Sequence, residues 1–129
     1  PHRFLNVMLR GTYITPHRHT RPPKAEAFLM LRGLAAFFIF EEDGSIKQCQ
    51  ILDASMHRGA LGIDIAPGVW HCLVVLSDEC VCYEVKPGPY DPTDDKEFAS
   101  WAPAEGSPEC AAYLTELEEH ALQMLESTT

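Results

Sequence analysis

A chain of 129 residues with 19 acidic against 10 basic side chains, net charge −9, is long enough for one self-sufficient core and repels polyanions. This argues against nucleic acid and an anionic membrane face as partners. The longest uncharged apolar run, LAAFFIF at 34–40, falls far short of the ~20 residues that cross a bilayer.

In chain order, short β-branched and aromatic runs separated by turn residues extend from Phe4 to Lys86, with no sustained helical periodicity. The strands expected are 3–9, 12–18, 26–31, 34–41, 45–52, 61–66, 71–77 and 80–86, an all-β body of sandwich or barrel type. Asp43-Gly44 marks a hairpin, expected as a type I′ turn because this pair tolerates positive φ. Residues 87–108 carry five prolines and two glycines, which predicts an extended segment rather than sheet. Ser107 as N-cap, Pro108 at the first position and apolar residues at i, i+3, i+4, i+7 from Cys110 to Leu125 predict one amphipathic helix over 108–126. The organisation expected is one domain: a barrel over 1–86, a Pro-rich segment packed on it over 87–107, and the helix. Five cysteines (Cys49, Cys72, Cys80, Cys82, Cys110) without a C-x-x-C pair read as reduced thiols of a cytoplasmic protein.

The chemistry concentrates in residues 11–33, GTYITPHRHTRPPKAEAFLMLRG. Strand alternation puts Tyr13, Thr15, His17 and His19 on one face, so His17 and His19 can offer two imidazoles to one ion about 2.0–2.2 Å from each. By the same parity Glu26, Phe28 and Met30 share a face, supplying an oxygen ligand and an apolar wall, while Pro22-Pro23 is expected to hold the intervening loop extended. His71, after the turn APGV, is the natural fourth ligand. Three imidazoles and a carboxylate suit one divalent transition metal ion, Zn, Fe, Ni or Mn, with a coordination position left for a small-molecule ligand. Without Glu26, a facial three-histidine set remains.

The pattern Gly11-x5-His17-x-His19-x6-Glu26-x6-Gly33, followed by Gly68-x2-His71, resembles the two cupin motifs in order and separation. The resemblance implies a double-stranded β-helix (cupin/jelly-roll barrel) holding one metal, here with one C-terminal α-helix. The His19-to-Glu26 gap is longer than the usual cupin spacing. A closer resemblance, carried by RFLNVMLRGTYITPHRH, PGVWH and YEVKPGPYDPTDDKEFASWAPAEG, is to the WbuC family of cupin-fold metalloproteins, often encoded with bacterial surface-polysaccharide genes.

Around such a site Tyr90, Lys96 and Trp101 of the Pro-rich segment are candidate ligand contacts, Arg3 and Asn6 candidate contacts at the mouth, and Tyr13 and Lys96 candidates for chemistry. The function expected is binding of a small polar ligand, a carbohydrate or sugar derivative, with metal-dependent isomerase, epimerase or dioxygenase chemistry. A non-catalytic ligand-binding module or a purely structural metal is the alternative. Strand 3–9 reads as a sheet edge, and pairing across it predicts a homodimer.

Overall fold

In a computed structural model, which describes residues 1–89, 91, 92 and 96–127, the chain folds into two facing antiparallel sheets and a helix. The strands are β1 (His2–Leu9), β2 (His17–Arg18), β3 (Glu26–Arg32), β4 (Leu34–Phe40), β5 (Ile46–Asp53), β6 (Gly62–Ile65), β7 (Trp70–Val75), β8 (Glu79–Lys86) and β9 (Glu97–Phe98), and the helix is α1 (Cys110–Ser127). One sheet has the order β1-β8-β3-β6, the other β5-β4-β7-β2-β9.

Two apolar clusters explain the strand patterns. Phe28, Met30, Phe37, Leu52, Leu73 and Cys82 pack between the sheets. Phe38, Phe40, Trp70 and Val74 lie on the other side of the five-stranded sheet, under Leu114, Leu117, Ala121 and Leu125 of α1. A strand covered on both faces has no polar side, so β4 reads as a continuous apolar run and β7 is buried at every position. The helix residues that meet this sheet are those expected from the 3.6 period. No helix among the described residues is long and apolar enough to cross a membrane.

Local chemistry shifted several expected boundaries. Of the strand expected over 12–18, only His17–Arg18 is regular. Pro16 lacks an N–H, and Tyr13 Oη and Thr15 Oγ1 donate to the Pro103 carbonyl, at 2.6 and 3.4 Å, rather than lying along a ladder. The Pro-rich segment is not devoid of sheet: its proline-free stretch pairs with β2 as β9, extended by Ala99 N donating to Pro16 O at 2.9 Å.

The hairpin is present, but its turn is not type I′, because only Gly44 (φ 89°) adopts positive φ. Gly44 N donates to Glu41 O, and the Asp43 carboxylate accepts from both N and Oγ of Ser45, giving a three-residue loop of the kind that ends in a left-handed glycine. A side chain there would also strike Trp101, 2.7 Å from the Cβ position. The helix starts at Cys110, two residues later than expected. Cys110 N donates to Ser107 O, while the Ser107 hydroxyl is buried without a hydrogen bond and does not cap.

Candidate metal centre

Each potential ligand owes its position to a different element. His17 on β2 lies directly across from His71 on β7. His19 follows β2, and Glu26 opens β3 in the opposite sheet. The extra residues between His19 and Glu26 are taken up by a tight turn, not the extended loop expected of Pro22-Pro23. Thr20 bridges Pro23, and Lys24 N returns to His19 O at 3.5 Å. The long gap thus closes on itself and returns Glu26 to the histidines.

Ligand nitrogens of His17, His19 and His71 lie within 4.8 Å of one another, and all three residues are buried. Glu26 reaches across from the other sheet, Oε1 2.9 Å from His19 Nε2 and Oε2 2.8 Å from His71 Nε2. Two ligands at right angles on an ion 2.0–2.2 Å from each would be about 3 Å apart, which these separations match.

Proton positions sharpen the fit. His17 Nδ1 lies 2.9 Å from Thr15 O and His71 Nδ1 2.8 Å from Val69 O. A carbonyl can only accept, so both Nδ1 atoms carry the proton, and in neutral rings both Nε2 atoms present lone pairs to the site. His71 Nε2 and Glu26 Oε2 are then two acceptors 2.8 Å apart, buried and without a hydrogen bond. Such a contact requires a cation or a proton. A metal ion fits this donor set.

The electrostatics agree. Burial, then the neighbouring His71, pushes the His17 pKa down to about 3, so this ring is neutral at ordinary pH. Burial opposes ionisation of Glu26, but where His19 and His71 turn a proton or positive charge toward it these contacts outweigh burial and hold the carboxyl far below the usual range.

Beside these groups lies a second polar cluster that sequence reasoning passed over. Glu84 and Lys86 point inward from β8, next to Asn6 and Phe4 of β1. Asn6 Nδ2 donates to Glu84 Oε1 at 2.8 Å, and Lys86 Nζ is 4.0 Å from both Glu26 Oε1 and Glu84 Oε2. Burial, then the charge of Glu26, raises the Glu84 pKa to about 7. The signal was strand parity, since Glu84 and Lys86 share the buried alternation with Cys80 and Cys82.

Of the other candidates, Asn6 and Lys96 line a cavity of about 150 Å³ that opens onto His17, His71 and Glu26. Arg3 does not; it projects from the exposed face of β1. Tyr13, expected to face the site with His17, turns its hydroxyl to Pro103 and its ring to Tyr113, because the backbone before Pro16 is not a regular strand. Trp101, a candidate ligand contact, packs against Phe40 and Trp70 below the hairpin turn, its centroid 5.0 and 5.9 Å from theirs. Tyr90 lies outside the described residues.

Among known families, a model described as "Domain of unknown function (DUF6016)" matches residues 1–52. No curated protein matches the sequence. Among solved structures, the chain is similar to NovW, a 4-keto-6-deoxy sugar epimerase from the novobiocin biosynthetic gene cluster of Streptomyces spheroides. The TM-score is 0.61 at 18% identity, covering 95% of this chain and 69% of that one. It is also similar to ChmJ, a 3'-monoepimerase from Streptomyces bikiniensis in complex with dTDP (TM-score 0.64, 12% identity, 98% and 76% covered). A third similar structure is the capsular polysaccharide assembling protein CapF from Staphylococcus aureus (TM-score 0.62, 22% identity), where 74% of this chain spans only 26% of that one. These likenesses and the two facing sheets define the fold as a cupin-type jelly roll with one C-terminal helix.

Proposed function

We propose that this protein is a single-metal cupin of WbuC type that binds a small, oxygen-rich ligand, a carbohydrate or sugar derivative, in the cavity beside His17, His19, His71 and Glu26. The observation that carries the reading is the buried contact of the His71 lone pair with the Glu26 carboxylate. A divalent ion held there would supply Lewis acidity to a ligand oxygen, as isomerisation, epimerisation or oxygen-dependent cleavage require. The chain's own residues orient and enclose: Thr15 and Val69 carbonyls fix the His17 and His71 rings, and Phe28 and Phe37 form apolar walls that exclude water. The roles of similar structures, two sugar epimerases and a capsular polysaccharide assembling protein, support the carbohydrate assignment. Five cysteines without a disulfide suit a reducing compartment, so the proposed location is the cytoplasm.

Protein purified without a nickel column is expected to hold one transition-metal ion per chain, measured by elemental analysis. Retention of none, even after incubation with zinc, iron, nickel and manganese in turn, would refute the reading. The same contact admits a second, metal-free reading in which His71 is an imidazolium paired with Glu26, an acid–base pair, and in that case chelators leave ligand binding unchanged.

We also propose a homodimer. β1 ends the four-stranded sheet, and its outer residues Leu5, Val7 and Leu9 are 60%, 65% and 62% exposed. The ladder register places Leu5 beside Tyr83 and Tyr83 beside Leu29, widening this into an apolar face three strands across of a kind that monomers seldom leave to water. Sedimentation should give a dimer, and Val7→Lys a monomer; a wild-type monomer at high concentration would sink the proposal.

A further inference from the structure

The cavity has two polar poles. One is the histidine cluster with Glu26, and the other is Lys86 with Glu84 and Asn6. Much of the remaining wall is apolar, with Phe4, Phe28 and Phe37 among its residues. Lys86 and Glu84 are 5% and 7% exposed, and a lysine ammonium is seldom kept so far from water without a task or a full set of partners. The β3–β8 ladder explains its placement: Ala27 pairs with Val85, which sets Lys86 alongside Glu26 on the inward face.

The charges do not balance once a metal is present. Among the described buried residues of the lining, Lys86 contributes one positive charge and Glu26 and Glu84 two negative ones, a sum of −1, while Lys96 is exposed to solvent. A divalent ion on the histidines then leaves one positive charge in excess among these buried groups. A protonated Glu84 would make the excess larger. A neutral ligand leaves the excess in place, whereas an anion offsets it.

Size and spacing narrow the choice. A cavity of about 150 Å³ is comparable to one that encloses benzene, so an enclosed ligand has about six to ten heavy atoms. Lys86 Nζ is 4.0 Å from Glu26 Oε1, which puts the ammonium within about 6 Å of an ion that Glu26 ligates through Oε1. Oxygens on neighbouring carbons of one small molecule bridge that distance. Resting on the metal reading above, we propose that the cavity takes a small 2-hydroxy- or 2-oxo-carboxylate, such as a short sugar acid. Lys86 faces its carboxylate, and its adjacent oxygen is turned toward the histidines. Glu84, itself held by Asn6, keeps Lys86 in place, and the two receive the ligand's remaining hydroxyl.

D-glycerate and glycerol test this, since they differ only in a carboxylate against a hydroxymethyl group. Calorimetric titration of zinc-loaded protein is expected to show glycerate binding at least tenfold tighter than glycerol. Lys86→Met should lose at least tenfold in glycerate affinity with zinc stoichiometry unchanged, and Lys86→Arg should stay within about threefold of wild type. Glycerol binding as tightly as glycerate overturns the proposal, as does full glycerate affinity in Lys86→Met. If Lys86→Met fails to fold, the glycerate-to-glycerol ratio of the wild-type protein decides. Failure of the wild type to take up zinc or any other divalent metal overturns both this inference and the metal reading. Normal metal uptake with no preference for glycerate overturns this inference alone.

Discussion

His71→Ala is expected to lower divalent-metal affinity by roughly a hundredfold or more, the largest loss among single substitutions in the site. Binding free energies of about 10–16 kcal/mol for four-ligand sites apportion to about 3 kcal/mol per ligand, or about two decades in Kd. His71 should lie at the upper end because its Nδ1–H is pinned to Val69 O and its ring stacks on Phe37, 5.5 Å between centroids at 15°. Its lone pair therefore reaches the site with little orientational freedom to lose. Competition against a chromophoric chelator measures the change, with circular dichroism reporting the fold. If His71 is instead an imidazolium paired with Glu26, the wild type holds no metal, and the substitution destabilises the protein by about 3–5 kcal/mol by stranding a buried carboxylate. Unaltered metal affinity in His71→Ala would remove this residue from the site.

How much of this was legible in the sequence depended on whether a signal was local. The hairpin at 43–44 rests on one glycine's tolerance of positive φ, so its position could be read. The turn type could not, because it was decided by the Asp43 carboxylate bonding to Ser45 and by Trp101 from 57 residues away filling the space at Gly44. The inward parity of His17 and His19 followed from alternation. The same alternation misled for Tyr13, because Pro16 breaks the ladder and the Pro103 carbonyl captures the hydroxyl. Arg3 and Asn6 were grouped as mouth residues although they have opposite parity on one strand, and the structure sends Asn6 to Glu84 and Arg3 outward.

Glu26 shows the limit of spacing arguments. Counted along the chain it stands too far from His19, but the Thr20–Pro23 turn absorbs the excess and pairing with Ile65 fixes the residue in the opposite sheet. Register between strands, which sequence does not display, decided this position, and it also decided the neighbourhood of Lys86. Glu84 and Lys86 share the parity of Cys80 and Cys82, but which way that face points is decided only when β1 and β3 are placed on either side of β8.

The metal-free protein is expected to have a flat stability profile between about pH 4.5 and 6.5 and to lose stability steeply below it, because two buried groups act with opposite signs. His17 titrates near 6.5 when unfolded and at about 3 in the fold. Between these values the unfolded chain binds the extra proton, so this group's contribution falls as pH falls, by about 1.4 kcal/mol per unit. Glu84 titrates near 4.5 when unfolded and at about 7 in the fold. Between those values the folded protein holds the extra proton, so this contribution falls as pH rises, by the same amount per unit. From 4.5 to 6.5 the two slopes cancel. Below 4.5 the Glu84 slope ends while that of His17 continues, and Glu26, whose folded pKa is depressed, adds a loss in the same direction as the unfolded chain takes up its proton. Glu84→Gln keeps the hydrogen-bonding shape and removes the titration, so the variant should gain about 3 kcal/mol between pH 4.5 and 6.5 where the wild type gains none. Urea unfolding of chelator-treated protein at pH 4.0, 4.5, 5.5 and 6.5 reads both curves. A wild-type profile that rises as steeply as that of Glu84→Gln would mean that Glu84 is already ionised beside Lys86 at pH 5, and that the second pole of the cavity carries a fixed ion pair rather than a shared proton.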